Sequence, residues 1–366
     1  MKAAVLWEVN QPLRVQDVEL DEPKDGEVLV RIAAAGVCHS DYHFMHGDLP
    51  IGIPCVLGHE GAGVVERVGP GVRSVHPGDH VVLLFRANCG HCDFCSRGRP
   101  ALCAMAAQIR TTGRLLDGTS RLHANGTEIK HLHGVSCFAE RCVVTQEACV
   151  PIPHEIPFEV AAVFGCAVMT GVGAVINTAK VTAGSSVLII GSGGVGLSAV
   201  MGASLAGANP IIAADILEAK LAAAIDFGAT HRVNARSQDV VDAVRNLTGG
   251  EGVDFAFEAI GNPSAMNQAF RALRRGGLAT AVGIAPFGTQ VTVDAGELVY
   301  QEKVLQGSYY GSAHFQADIP RLLQLYLAGR LPVDRLISRR YRLDDVNQAF
   351  EALLAGEVSR SVVVFD

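Results

Sequence analysis

Four cysteines fall within fifteen residues as Cys89-x2-Cys92-x2-Cys95-x7-Cys103. Thiolates at that spacing can wrap one tetrahedral Zn²⁺ from a single loop, leaving no open position, so such a metal would staple the loop rather than catalyse. Spacing alone also admits an iron–sulfur cluster, but a closed four-cysteine zinc site is the better reading. A second set is dispersed: Cys38, His59, Glu60 and Cys166. A catalytic zinc takes three protein ligands and keeps a fourth position for water or substrate. Taken singly, each of these residues reads equally well as core packing or as a satisfied polar group. The third feature is Gly191-Ser192-Gly193-Gly194-Val195-Gly196, directly after the apolar run Val187–Ile190. Asp215 lies nineteen residues beyond Gly196, where an acid can bind an adenosine ribose 2′-hydroxyl while the pyrophosphate rests on a helix N-terminus. A glycine turn without ligand is the alternative, and Asp215 argues against it.

The elements that must hold these groups follow from the texture of the chain. Its 366 residues suggest about two domains. With 49% apolar and 18% charged residues, disorder is excluded and a large core is possible. A net charge of −7, with no basic run, argues against nucleic acid. Ten cysteines in so long a chain do not make a disulfide scaffold. Residues 181–214 carry no charge and are long enough to span a bilayer, but Gly191, Gly193, Gly194 and Gly196 suit a strand–turn–helix better. No secretory signal is read in the first ten residues, and a cytoplasmic protein is expected.

Short β segments at 28–32, 63–68 and 80–84, with turns at 69–71 and 77–79, dominate the first 150 residues. Beyond residue 157, strands at 187–190, 211–214, 255–259 and 278–282 alternate with helices at 196–208 and 217–227. That alternation implies a doubly wound parallel α/β sheet. Helices at 318–327 and 346–355 and strands at 339–341 and 361–365 close the chain. Strand candidates near 291–293 and 304–308 are expected to pair across a twofold axis, giving a homodimer.

Together these segments resemble the zinc-dependent medium-chain alcohol dehydrogenases, in the long-loop branch typified by liver alcohol dehydrogenase and by bacterial nicotinoprotein and formaldehyde-active relatives. The resemblance runs from the first strand to the last. It is carried by Gly36-Val37-Cys38-His39-Ser40-Asp41, Gly58-His59-Glu60-Gly61-Ala62-Gly63, the four-cysteine lobe, Asp117-Gly118-Thr119-Ser120-Arg121 and Gly165-Cys166-Ala167-Val168-Met169-Thr170-Gly171. It implies a Rossmann NAD-binding domain at 168–310. A β-rich GroES-like catalytic domain is implied at 1–167 and 311–366, with a zinc lobe at about 86–106.

Two zinc ions and NAD are implied as cofactors, and a primary apolar or aromatic alcohol and its aldehyde as substrates. In the carry-over Cys38, His59 and Cys166 hold the catalytic zinc, with Glu60 beside it, and Cys89, Cys92, Cys95 and Cys103 hold the structural one. Asp41 orients the ring of His59. Ser40 takes the alcohol proton and His43, an imidazole exchanging with solvent near neutral pH, passes it outward. His39 and Arg360 face the cofactor pyrophosphate, Thr170 the nicotinamide and Lys220 the adenosine ribose, beside the Gly191–Gly196 turn with Val195. Leu49, Phe85 and Phe138 line the substrate channel, with core packing the competing reading.

Rivals remain within the family. Oxidation of a formaldehyde–thiol adduct would need a cationic anchor, and Arg110, Arg114 and Arg121 are the candidates. A nicotinoprotein would keep NAD bound, and Gly47-Asp48-Leu49-Pro50 is reminiscent of those enzymes. A non-catalytic zinc- and nucleotide-binding protein is the reading from another class, disfavoured by the complete ligand and relay set.

Overall fold

An eleven-residue strand, Glu27–Val37, organises the first half of the molecule. Its apolar, largely β-branched and small residues suit a ribbon buried on both faces, and the structure buries nine of the eleven. In this computed structural model, which describes residues 1–365, the strand pairs antiparallel with Glu60–Val68 on one side and Arg360–Val364 on the other. The sheet continues through His80–Leu83 and Cys149–Pro151 at one end and Ile337–Tyr341 at the other, and Arg141–Thr145 also pairs with Glu27–Val37. A second, six-stranded sheet contains Lys2–Leu6, Cys55–Val56 and Thr127–His131.

The chain divides into two compact units. One comprises Met1–Cys166, His314–Leu327 and Val333–Asp366, the other Ala167–Ala313 and Ala328–Pro332. The second unit is built on a six-stranded sheet, all parallel, in the order His231–Asn234, Ile211–Asp215, Val187–Ile190, Val253–Glu258, Leu273–Ala281, Val304–Gly307. The strand order reverses beside Val187–Ile190, which is where such sheets bind ligands, outside the carboxyl ends of the strands. The doubly wound class expected from the alternating texture is the class observed.

Residues 181–214 form the strand Val187–Ile190, the helix Gly194–Leu205 and the start of the next strand, Ile211–Asp215. One helical run, Phe158–Ala179, is long and apolar enough to cross a membrane, and 89% of its most apolar stretch is buried inside the fold. One expectation is corrected. Residues 291–293 form no strand; they lead irregularly into the short helix Ala295–Tyr300, which Asp294 caps by accepting the Gly296 and Glu297 amides. Only the partner segment of that expectation, Val304–Gly307, is a strand, and it lies at the sheet edge.

Arg121 ties the long loop to the organising strand. Its side chain is fully buried; Nε donates to Glu27 Oε2 at 2.8 Å and Nη2 to Asp117 Oδ2 at 2.8 Å. Glu27 is itself buried, so removing the guanidinium strands a carboxylate away from water. Arg121→Met should therefore destabilise the protein by about 3–5 kcal/mol, read as a lowered urea midpoint. An unchanged midpoint would mean that Glu27 is not dependent on this partner.

Candidate metal centre and nucleotide site

Strand register brings the dispersed ligands together. Gly36 stands opposite Glu60, so the chain leaving Val37 places Cys38 next to His59 and Glu60. On the other side Val37 stands opposite Ser361, which sets Arg360 beside the same end. A Cβ on Gly36 would overlap Glu60 Oε2, so only glycine lets that carboxylate lie over the strand. Cys166 arrives on a π-helical turn, Phe164–Val168, a local widening that recurs at functional sites. Its neighbour Gly165 packs so closely on the Leu83 strand that an added Cβ would sit 2.8 Å from the Leu83 carbonyl oxygen.

The ligand atoms of Cys38, His59, Glu60 and Cys166 all lie within 4.8 Å of one another, and all four residues are buried. His59 Nδ1 is 3.0 Å from Asp41 Oδ1, which also accepts the Gly58 amide at 3.1 Å. A carboxylate on Nδ1 fixes the tautomer that offers Nε2 to a metal. Hydrogen bonding from Cys166 holds the Cys38 thiol well below its ordinary value, and the same bond pushes Cys166 up. Burial pushes the Glu60 carboxyl up to about 8 against the pull of Arg360. Arg360 Nη1 lies 3.2 Å from Glu60 Oε1 and donates to the Val37 carbonyl, while Glu60 Oε2 has no hydrogen-bond partner. Two soft sulfurs, one imidazole and an unpartnered carboxylate oxygen suit zinc.

The four-cysteine lobe closes as a separate cluster. Cys89, Cys92, Cys95 and Cys103 bring their sulfurs within 4.8 Å of one another. Cys103 Sγ lies 3.6 Å from Cys89 Sγ and 3.9 Å from Cys92 Sγ. Those separations bracket the edge of about 3.8 Å expected of a tetrahedron with ~2.3 Å Zn–S bonds. Backbone amides help: Cys89 N–H donates to Cys103 Sγ and Cys92 N–H to Cys89 Sγ. The Ala104 amide, with Cys95, lowers the Cys92 thiol to about 6, whereas burial raises Cys95 to about 12.

In the second unit Gly191 adopts φ +97° and Gly193 caps the helix Gly194–Leu205 without a side-chain hydrogen bond. A Cβ on Gly196 would overlap the Gly191 carbonyl oxygen, whereas nothing stands within 4 Å of one on Gly193. The turn is thus tight behind and open in front, with the Gly194 and Val195 amides at the helix start free of side-chain caps, as an approaching pyrophosphate requires. Asp215 ends its strand with Oδ2 accepting the Ser192 amide at 2.8 Å and Oδ1 the Leu217 amide at 3.0 Å. Lys220 follows in the helix Glu218–Asp226, and Thr170 is buried in the helix Met169–Gly173.

Other expected residues take definite places. His39 and Ser40 open the helix His39–His46, His39 exposed and Ser40 half-buried, and His43 lies in its last turn. Phe85 packs its ring edge-on to His59 at 5.2 Å, and Leu49 is buried. Phe138 is placed differently from expectation. It is fully buried, edge-on to Phe350 at 6.0 Å and against Gly58, so it is a core side chain rather than a channel wall. Arg360 is engaged by Glu60 and Val37 through Nη1, while its Nε has no hydrogen-bond partner. His133 escaped the sequence reading. Its ring lies 5.4 Å from Phe85 and 6.3 Å from His59, and burial keeps it well below the usual imidazole value. No ligand spacing marks it; its φ of +54° in a loop is a property of the folded chain.

A β-rich unit carrying two sulfur-rich candidate metal sites and a doubly wound unit with a dinucleotide turn, in one chain, define a zinc-binding dehydrogenase. Comparison with known proteins agrees. Residues 24–154 match the family described as alcohol dehydrogenase GroES-like domain, and residues 194–328 that described as zinc-binding dehydrogenase. The chain is 40% identical to the NDMA-dependent alcohol dehydrogenase of Amycolatopsis methanolica, over 99% of this chain and 98% of that one. It is 39% identical to the S-(hydroxymethyl)glutathione dehydrogenase of Paracoccus denitrificans, over 100% and 99%. The crystal structure of benzyl alcohol dehydrogenase from Acinetobacter calcoaceticus superposes with a TM-score of 0.95 at 35% identity, covering 100% of this chain and 99% of that one. The chain belongs to the zinc-dependent medium-chain alcohol dehydrogenase family.

Metal analysis should find two zinc ions per chain. Cys95→Ser should lose one of them and chiefly lower the melting temperature, whereas Cys166→Ser should abolish turnover with the fold largely intact. Equal losses of stability would remove the division into a stapling and a catalytic site.

Proposed function

We propose that this protein is an NAD-dependent dehydrogenase interconverting primary alcohols of apolar or aromatic character with their aldehydes. The observation that carries this reading is the Cys38–His59–Cys166 cluster, with His59 held by Asp41 and faced by the Phe85 ring. Zinc held there supplies Lewis-acid polarisation of an alcohol or carbonyl oxygen, and NAD supplies the hydride acceptor or donor. The chain supplies the rest. Phe85 and Leu49 give the substrate an apolar wall and keep water from the reacting carbon. Ser40 takes the hydroxyl proton and yields another to His43, which exchanges with solvent. Glu60, paired with Arg360, is poised beside the cluster to take a vacated ligand position.

The thiol-adduct alternative turns on its candidate cationic anchors. Of its three candidate anchors, Arg121 is buried on Glu27 and Asp117 and Arg114 lies on Glu128 at 2.9 Å, which leaves Arg110, whose charge reaches His133 beside Phe85, as the one to carry that reading. With Phe85 and Leu49 as an apolar wall, a kinetic panel with NAD should favour benzyl-type and medium aliphatic primary alcohols over a formaldehyde–thiol adduct; the reverse preference would transfer the function to that alternative. In the same panel NAD should be preferred over NADP, because Asp215 attracts a ribose hydroxyl and repels a 2′-phosphate. Asp215→Gly should narrow the preference, and an unmutated enzyme favouring NADP would refute the assignment.

The proposed assembly is a homodimer. Val304–Gly307 leaves one edge of the parallel sheet unpaired, and the helix just before it exposes Val299 at 73% and Tyr300 at 90%. A second copy would cover such an edge. Light scattering should report the mass of two chains, and the mass of four would overturn this.

A further inference from the structure

The helix His39–His46 ends at Gly47, whose φ is +85° and whose amide donates to the Phe44 carbonyl. A side chain at Gly47 would be strained there and would also meet Val9 Cγ1 at 2.7 Å. The chain turns back over the last helical turn, where the Leu49 amide donates to the His43 carbonyl at 3.2 Å. Asp48 is thereby set between two imidazoles. Its Oδ2 lies 2.8 Å from His43 Nδ1 and its Oδ1 3.1 Å from His46 Nδ1.

The hydrogen bonds from His43 and His46 hold the Asp48 carboxyl below the usual carboxylate range. It is therefore ionised near neutrality and can only accept. Each histidine must present a protonated Nδ1, and a neutral His43 then carries its lone pair on Nε2. His46, stacked on Tyr42 at 5.6 Å, occupies the other carboxylate oxygen. Asp48 cannot turn away from His43 without breaking both bonds.

We propose that Asp48 is a positioning residue for proton release: it fixes the tautomer and ring orientation in which His43 Nε2 accepts the proton that the Ser40 relay passes on. This rests on the relay through Ser40 and His43 set out above. In alcohol oxidation the O–H bond breaks, the Ser40 hydroxyl gains that proton as it releases its own, a bridging hydroxyl hands the released proton on to His43 Nε2, and the imidazolium returns a proton to solvent. The two electrons leave the carbinol carbon with its hydrogen, so the alcohol is oxidised and NAD reduced. Asp48 remains a carboxylate throughout, as the acid of a His–Asp pair does.

The test compares the zinc-loaded wild type with Asp48→Ala, Asp48→Asn and His43→Gln, the last also assigning the His43 signals. In ¹⁵N-histidine NMR, wild-type His43 should show the Nδ1–H tautomer, and both Asp48 variants should show a mixture with Nε2–H. Alcohol oxidation by Asp48→Ala should lose about tenfold in kcat, less than the ~100-fold or more a general base supplies, with KM little changed. Added imidazole, which needs no positioning, should restore much of the loss. Asp48→Asn keeps the side-chain shape and carries the test if the alanine variant folds poorly. A slow His43→Gln beside Asp48 variants with wild-type kcat and tautomer would overturn the role of Asp48 while leaving the relay intact. A His43→Gln enzyme as fast as wild type would remove the relay, and this proposal with it.

Discussion

The catalytic unit depends on a knot of buried charge at the end of three adjacent strands. Cys38 and Cys166 are each 6% exposed, His59 2% and Glu60 not at all. Arg360 is the cation paired with Glu60, while Asp41, equally buried, is committed to His59. Such a set is costly to bury without further positive charge. The unpartnered oxygens of Glu60 and Asp41 are the structural trace of that cost. A divalent cation held by the two sulfurs and the imidazole would offset it, and strand register is what crowds these groups together. The same register would leave a metal few alternative geometries, because Cys38 and His59 directly abut the ends of paired strands and Cys166 lies on a buried helical turn.

The lobe reaches tetrahedral sulfur by the opposite route. Its four cysteines lie on one short segment, and Cys89, Cys92 and Cys95 are only partly buried. The segment has little core of its own: the turn Asp93–Ser96 buries no residue. Metal binding there is folding energy, since no sheet pre-forms the site. At the other cluster the sheet is made independently of the ligands, so a lost sulfur costs chemistry before it costs structure. Cysteine sulfurs thus serve different ends at the two clusters, according to whether the scaffold or the metal does the ordering.

How much the sequence disclosed follows the same distinction between local and distant. The four-cysteine spacing and the glycine turn with its acid are local, and both were legible as chemistry. Strands such as Val187–Ile190 and Ile211–Asp215 were legible because a fully buried parallel strand is a continuous apolar run. The set Cys38, His59, Cys166 is scattered through the first half of the chain and carries no period of its own; family resemblance, not spacing, brought it together. The helical run through Phe158–Ala179 was not read, since its glycines lower helix propensity and serve instead to let backbones approach. Phe138 was read by analogy as a channel wall, but the tight bend at Gly58 draws it into the core. Segment 291–293 has β-branched residues without a partner strand, and propensity alone does not make a sheet.

One device recurs wherever a loop must be shaped without much packing: a carboxylate at the end of an element gathers backbone amides. Asp41 takes the Gly58 amide with the His59 ring, Asp215 takes those of Ser192 and Leu217, and Glu258 Oε1 takes those of Ile260, Gly261 and Asn262. Ile190 pairs with Glu258 across the two strands where the order of the sheet reverses. The glycine turn after Ile190 and the loop after Glu258 are thus each pinned by a carboxylate before any ligand arrives. Loops fixed in this way lose little conformational entropy on binding, so more of the interaction with a dinucleotide is retained as affinity. Charge-assisted bonds to amides are the stronger kind, and they hold backbone rather than side chains. A short polar residue at a strand end can therefore shape a site that the hydrophobic core does not reach.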